Sequence, residues 1–199
     1  MAGPRTPGQR AGLTRDTVLK TARDVLTERG LDGLTMRHLA SRLGVAPNAL
    51  YSYVANKTAL VDDLLDDVLA DVETPAPDSA DPTGDLSVVM TSTFSVLLGH
   101  PDLVPLYLAR QGARGPNAQR LGEVMLHLLA AAGLTGTAAH EARRVLIVFT
   151  IGFAALATPA PVEPEAAPPL TADDVSGNFR RGLQWLLAGI LGGPAVSGS

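Results

Sequence analysis

The sequence predicts an all-α protein: an N-terminal helix-turn-helix module of three short helices, followed by a larger helical domain, about nine helices in all. Three observations predict it. Apolar residues recur at i, i+3, i+4 spacing along most of the chain, with no convincing strand alternation. Capping residues and glycines bracket these runs at helix-like distances. The composition, 46% hydrophobic and only 18% charged, suits a packed helical core and is too apolar for a disordered chain.

Thr14 is placed to cap the first helix, with Leu13 and Val18 at staple spacing. Val18, Leu19, Ala22, Val25 and Leu26 form its apolar face, and Gly30 supplies the stop. Thr35 opens a second helix with Met36, Leu39, Ala40 and Leu43 on one face, and Gly44 ends it after about two turns. Pro47 suits the first position of a third helix, in which Leu50 and Val54 share a face. Asn56 can cap a fourth, whose apolar stripe from Leu60 to Val72 alternates with Asp62, Asp63, Asp66, Asp67 and Asp71. That acidic series reads as a solvated face: its i, i+4 carboxylates lack the neighbouring His or Cys that would suggest a metal site.

Glu73 to Gly84 carries Pro75, Pro77 and Pro82 and forms the seam between the two parts. Beyond it, helices are predicted over 85–99, 102–111, 117–132, 137–157 and 171–191, with the proline-rich stretch Thr158 to Leu170 as a loop. Val145 to Ala157 is apolar around most of its circumference and needs cover on more than one side. It is shorter than the ~20 residues a membrane span requires, so a buried helix and no membrane partner are expected. The last helix carries Val175, Phe179, Leu183, Leu186, Leu187 and Ile190 on one stripe.

Residues 1–57 hold nine Lys or Arg against four Asp or Glu, a balance of +5; the whole chain is −4, so the remainder is −9. Such asymmetry points to one end that meets a polyanion, either nucleic acid or an anionic membrane. The chain has no Cys, which removes disulfides, thiolate zinc sites and cysteine nucleophiles and agrees with a cytoplasmic setting. Residues 1–12 are polar and rich in Gly, Pro and Arg, unlike a secretory leader. A Gly-rich phosphate loop, a nucleophile elbow and a metal-binding His pair are all missing from the sequence, so neither an enzyme nor a bound cofactor or metal is expected.

A short helix, a glycine turn and a second helix form a unit that can seat its second helix in the major groove. The stretch Leu34-Thr-Met-Arg-His-Leu-Ala-Ser-Arg-Leu-Gly-Val-Ala-Pro-Asn-Ala-Leu-Tyr-Ser-Tyr-Val-Ala-Asn-Lys-Thr-Ala-Leu60 closely resembles the DNA-binding region of the tetracycline-repressor family. The resemblance extends back to about Thr14 and into the fourth helix. It implies a transcriptional repressor acting as a homodimer on a palindromic double-stranded operator and released by a small-molecule effector.

On the recognition helix, Pro47, Asn48, Ala49, Tyr51 and Ser52 should face outward. Asn48 can reach a base edge or a phosphate, and Ala49 a thymine methyl. Arg37 resembles a family position that reaches a base, with guanine the natural partner of its fork. Thr35, Tyr51, Ser52, Tyr53 and Lys57 offer hydroxyls and an amine for phosphates. Arg5 and Arg10 read as parts of a tail. The centre of the recognition helix has Ala49 and Ser52 where family members often carry bulkier or polar residues, so direct readout is expected to be sparse.

The expected layout is a flexible tail at 1–12, the DNA-binding domain at 13–57, a connecting helix at 58–74, a ligand-binding and dimerisation domain at 75–193 and a tail at 194–199. Candidate effector contacts are Phe94, His100, Tyr107, Arg110, Gln111, Met125, Phe149 and Phe153, which combine apolar volume with isolated polar groups. The resemblance places the dimer interface on the last two long helices, in agreement with their excess apolar surface. Two other readings stay open: an activator or constitutive DNA-binder without an effector, and a small helical enzyme or lipid carrier with a basic membrane-facing end. The compact helix-turn-helix disfavours the second, because a membrane-binding basic helix would oppose Lys and Arg to Trp, Phe or Leu.

Overall fold

The computed structural model describes residues 13–76, 79–158 and 171–192, and every regular element among them is helical. The tails expected at 1–12 and 194–199, Arg5 and Arg10, and nearly all of the proline-rich loop after Thr158 lie outside the described residues. The chain divides into two compact units, Met1–Leu64 and Leu65–Ser199.

The first unit contains α1 (Arg15–Gly33), α2 (Met36–Leu43), α3 (Pro47–Leu50) and most of α4 (Lys57–Asp67). The Thr14 hydroxyl accepts from the Thr17 amide at 3.1 Å and starts α1. At Gly30 the backbone takes φ +66, outside helical geometry, so the continuous run of α1 stops where the glycine was expected to stop it. Thr35 caps α2 by accepting from the His38 amide at 3.1 Å, and Gly44 closes it in the left-handed region, φ +65. Only four residues of α3 are α-helical, and the chain leaves through turns at Tyr51–Tyr53. Val18, Leu19, Val25, Leu34, Leu39, Leu50, Leu60 and Leu64 are buried together as the apolar faces required.

The second unit comprises α5 (Pro82–Leu98), a 3₁₀ turn at Pro101–Leu103, α6 (Val104–Arg110), α7 (Pro116–Ala131), α8 (Gly136–Ala157) and α9 (Ala172–Gly192). Helix α5 packs on α7, α8 and α9, and α8 also on α6 and α7. Phe179 of α9 is fully buried, stacked on Phe94 of α5 with ring centroids 4.1 Å apart. Two sequence expectations need correction. Pro82 does not break helix but opens α5 at its first position, with the Asp81 carboxylate accepting from the Gly84 amide at 2.9 Å. The fourth helix is α-helical only to Asp67 and continues as a 3₁₀ turn over Val68–Asp71.

The acidic series on α4 is also not a solvated face. Asp66 is 5% exposed, and Asp62, Asp63 and Asp67 are half-buried. Asp63 pairs with Arg15 at 2.6 Å, both within the first unit. Within the second unit Asp66 accepts hydrogen bonds from the first turn of α7. Periodicity along one helix shows which residues share a side, not what the rest of the fold brings to that side.

Candidate nucleic-acid interface and ligand cavity

The interface is built on the first unit. Thr35, Arg37, Pro47, Asn48, Tyr51 and Ser52 are all exposed, and Ala49, Tyr53 and Lys57 are half-buried. Tyr51, 53% exposed, presents a large aromatic surface to solvent at the end of α3. Other polar groups of the module serve its own geometry. The Arg42 guanidinium clasps both Glu28 carboxylate oxygens at 2.5 and 3.0 Å, tying α2 to α1. That hydrogen-bonded pair holds the Glu28 carboxyl below its ordinary range and raises Arg42.

Two of the expected phosphate donors are also tethers. The Tyr53 hydroxyl donates to the Leu13 carbonyl at 2.9 Å, and the Lys57 ammonium to the Leu31 carbonyl at 2.7 Å. Both stand where the loops around the recognition helix meet α1, so they hold α3 in place. In addition, the Asn56 side chain accepts from the Ala59 amide at 2.9 Å and starts α4. The module therefore offers a donor-rich surface on a rigid frame, suited to positioning phosphates and reading a few base edges.

The second unit holds a separate, partly open cavity of about 140 Å³, lined mainly by Val89, Leu97, Tyr107, Leu121, Met125 and Ile151. Thr93, Gln111 and Thr150 add polar atoms, and no Asp, Glu, Lys, Arg or His contributes to the wall. Most of the polar hydrogens are committed: Thr93 donates to Val89, Thr150 to Leu146, and the Tyr107 hydroxyl to the Leu65 carbonyl. Burial pushes the Tyr107 hydroxyl pKa well above its usual value, and the nearby Asp66 charge adds to the shift. Gln111 stands at the wall in the left-handed region, φ +56, followed by Gly112 at φ +99.

Of the eight candidate effector contacts, Tyr107, Gln111 and Met125 meet in this cavity. Phe94, Phe149 and Phe153 gather elsewhere, in an aromatic cluster around Phe179 with centroid separations of 4.1 to 5.8 Å. Phe94 and Phe179 are buried, whereas Phe149 and Phe153 are half-buried. His100 precedes the 3₁₀ turn and Arg110 ends α6, and neither is among the residues that line the cavity. The wall residues that the sequence did not single out, among them Thr93, Ile147 and Thr150, sit one helical turn from residues on the core stripes of α5 and α8. Nothing in a single helix's pattern separates a cavity wall from filled core.

Among the described residues there is no cluster of three His, Cys, Asp or Glu able to hold a metal, and no helix long and apolar enough to cross a membrane.

Comparison with known proteins gives a consistent picture. Residues 18–64 match the model for bacterial regulatory proteins of the tetR family, and residues 74–168 match the model for the tetracyclin repressor-like C-terminal domain. The class A tetracycline repressor protein from transposon 1721 of Escherichia coli is 33% identical over 142 residues, 70% of this chain and 65% of that one. The chain thus spans less than two thirds of the length of that curated relative. Among solved structures, a single-residue variant of TetR from Acinetobacter baumannii AYE in complex with minocycline is 30% identical, TM-score 0.73, covering 89% of this chain and 96% of its own. BioQ bound to its natural double-stranded DNA operator is 26% identical, TM-score 0.67, covering 91% and 99%.

Proposed function

Because this chain belongs to the tetR family of bacterial regulatory proteins, we propose that it is a cytoplasmic homodimeric repressor that holds a two-fold symmetric operator until a small neutral molecule enters its second unit. The observation that carries the reading is the exposed set Thr35, Arg37, Asn48, Tyr51 and Ser52 on and beside a helix-turn-helix braced by Arg42, Tyr53 and Lys57. Arg37 and Asn48 read bases, and the hydroxyls with Lys57 position phosphates.

The dimer forms through α8 and α9. Val145, Val148 and Leu156 are 47, 64 and 65% exposed along one side of α8, and Trp185 on α9 is 74% exposed. Apolar side chains in such a row favour a self-complementary two-fold contact. A dimer presents two recognition helices to successive major grooves, roughly 34 to 36 Å apart.

The cavity supports the effector's chemistry. Its walls carry no charge, so a charged ligand would lose hydration without a partner, and the effector is neutral. Its volume of about 140 Å³ matches the ~150 Å³ apolar cavity that admits benzene, so a single ring fills it, and a larger molecule extends through its open side or displaces a wall. Gln111, at the cavity's edge, is the polar residue nearest to hand for orienting it. The ligand must bind the DNA-incompetent state better, and a coupling of ~1 to 3 kcal/mol weakens operator affinity roughly 5- to 150-fold.

The test screens neutral one- to three-ring compounds for a rise in melting temperature, then titrates the best against the protein–operator complex. Release of the operator is expected. Compounds that stabilise the protein yet leave operator affinity unchanged would reduce the second unit to a dimerisation scaffold.

A further inference from the structure

The N-terminus of α7 has no cap of its own. Gly115 stands at its N-cap without a side chain, and Pro116 follows. The Asp66 side chain, from the last turn of α4, fills that role from about 50 residues away in sequence. One carboxylate oxygen accepts from the Asn117 amide at 3.1 Å, and the other from the Ala118 amide at 2.9 Å. The Asn117 side-chain amide returns a bond to the Asp66 carbonyl at 3.1 Å and a weaker one to its carboxylate at 3.3 Å. Adjacent Leu65 receives the Tyr107 hydroxyl, and Arg120 of α7 donates to the Leu69 carbonyl at 3.3 Å. The end of α4 is therefore held by α6 and α7.

The groups that hold it belong to the cavity. Tyr107 and Ala118 line it, as do Gly112 and Ala113 on the stretch that leads to the capped turn. On that stretch Gln111 and Gly112 lie in the left-handed region, which a non-glycine residue such as Gln111 adopts only at some cost. The clamp also has no slack. A methyl group on Gly115 would collide with the Asp66 carboxyl carbon, although Gly115 itself has φ −79, a conformation any residue adopts.

We propose that Asp66 is the positioning residue that links the cavity to α4: its cap on α7 is closed in the operator-binding state, and wall displacement by a ligand opens it. Since α4 is one continuous helix from Lys57 to Asp67, opening the clamp frees the end of the helix whose start carries Lys57. This rests on the regulator reading but is tested without knowing the effector.

Gly115→Ala opens the clamp from the α7 side, and Asp66→Ala removes it. Affinity is measured, per active protein and well below the melting temperature, for the duplex that the wild type selects from a random pool. Each variant is expected to weaken binding by roughly 5- to 150-fold, and the double variant by less than the two losses combined, because the methyl acts through the Asp66 side chain, its carboxyl carbon first and its Cβ after it. Asp66→Asn, which keeps one acceptor oxygen, should recover part of the loss and covers the case in which an alanine variant does not fold. Amide exchange read on residues 57–64 should accelerate in every clamp variant with no DNA present. Additive losses, or exchange that accelerates only in residues 65–72 and 111–120, would overturn the proposal. Failure of the wild type to select any duplex would instead overturn the regulator reading, and the exchange result would still decide the clamp.

Discussion

The Tyr53 hydroxyl donates a hydrogen bond to the Leu13 carbonyl at 2.9 Å, joining residues 40 apart in sequence and fixing the exit of the recognition helix against the entry of α1. The contact is half-buried, so its net worth is about 0.5 to 1.5 kcal/mol. Tyr53→Phe keeps the ring and removes the bond. It should lower the melting temperature by a few degrees and weaken specific and random DNA by similar factors, as measured by thermal unfolding and parallel titrations. A loss confined to one operator sequence would show that Tyr53 reads bases.

Arg37, exposed on the second residue of α2, makes the opposite prediction. Arg37→Ala should cost about 1 to 3 kcal/mol on the specific duplex, relax one base preference and leave random-sequence binding nearly unchanged. Equal losses on both duplexes would reassign Arg37 to a phosphate contact.

Tyr107 gives a pH dependence. Burial raises its hydroxyl above the ordinary 10.0, so the neutral form is favoured in the folded state. That contribution is fully present below pH 10 and is lost as pH rises through the folded value, because the unfolded tyrosine ionises first. Tyr107→Phe should be less stable than the wild type at neutral pH, by about 0.5 to 1.5 kcal/mol for the lost hydrogen bond. The difference should shrink above pH 10 in denaturant titrations. A constant gap up to about pH 12 would mean that the hydroxyl ionises as freely folded as unfolded.

Filling the cavity separates its two roles. Ala118→Leu adds three carbons to the wall, whereas Met125→Ala enlarges the space. The first should abolish the melting-temperature rise given by a stabilising neutral compound. The second should cost about 2 to 5 kcal/mol of stability and admit larger rings. Unchanged ligand shifts in both would place the effector elsewhere.

The order of helices was legible because each carried its own punctuation: Thr14, Thr35 and Asn56 at starts, Gly30 and Gly44 at ends. The exposure of Arg37, Asn48, Tyr51 and Ser52 was legible because a motif with fixed spacing fixes which side of a short helix faces outward. The cavity was only partly so. Phe94 and Phe149 promised a ligand site by their bulk, yet they pack on Phe179, and the cavity wall draws on small residues such as Gly112, Ala113 and Ala118. Empty space comes from what side chains fail to fill, which depends on partners distant in sequence. Asp66 was misread for the same reason: its partner is an uncapped helix start about 50 residues away, invisible from the α4 pattern alone.

Selection of bound duplexes from a random DNA pool, followed by sequencing, decides whether this chain is a symmetric operator-binding dimer. One enriched sequence is expected, with two inverted half-sites whose centres lie about one helical turn, roughly 10 base pairs, or a multiple of it apart. Binding should weaken steeply with salt, as expected of a dimer whose +5 ends each displace phosphate counterions. Enrichment of a single unpaired half-site, or of no sequence at all, would contradict a symmetric operator-binding dimer.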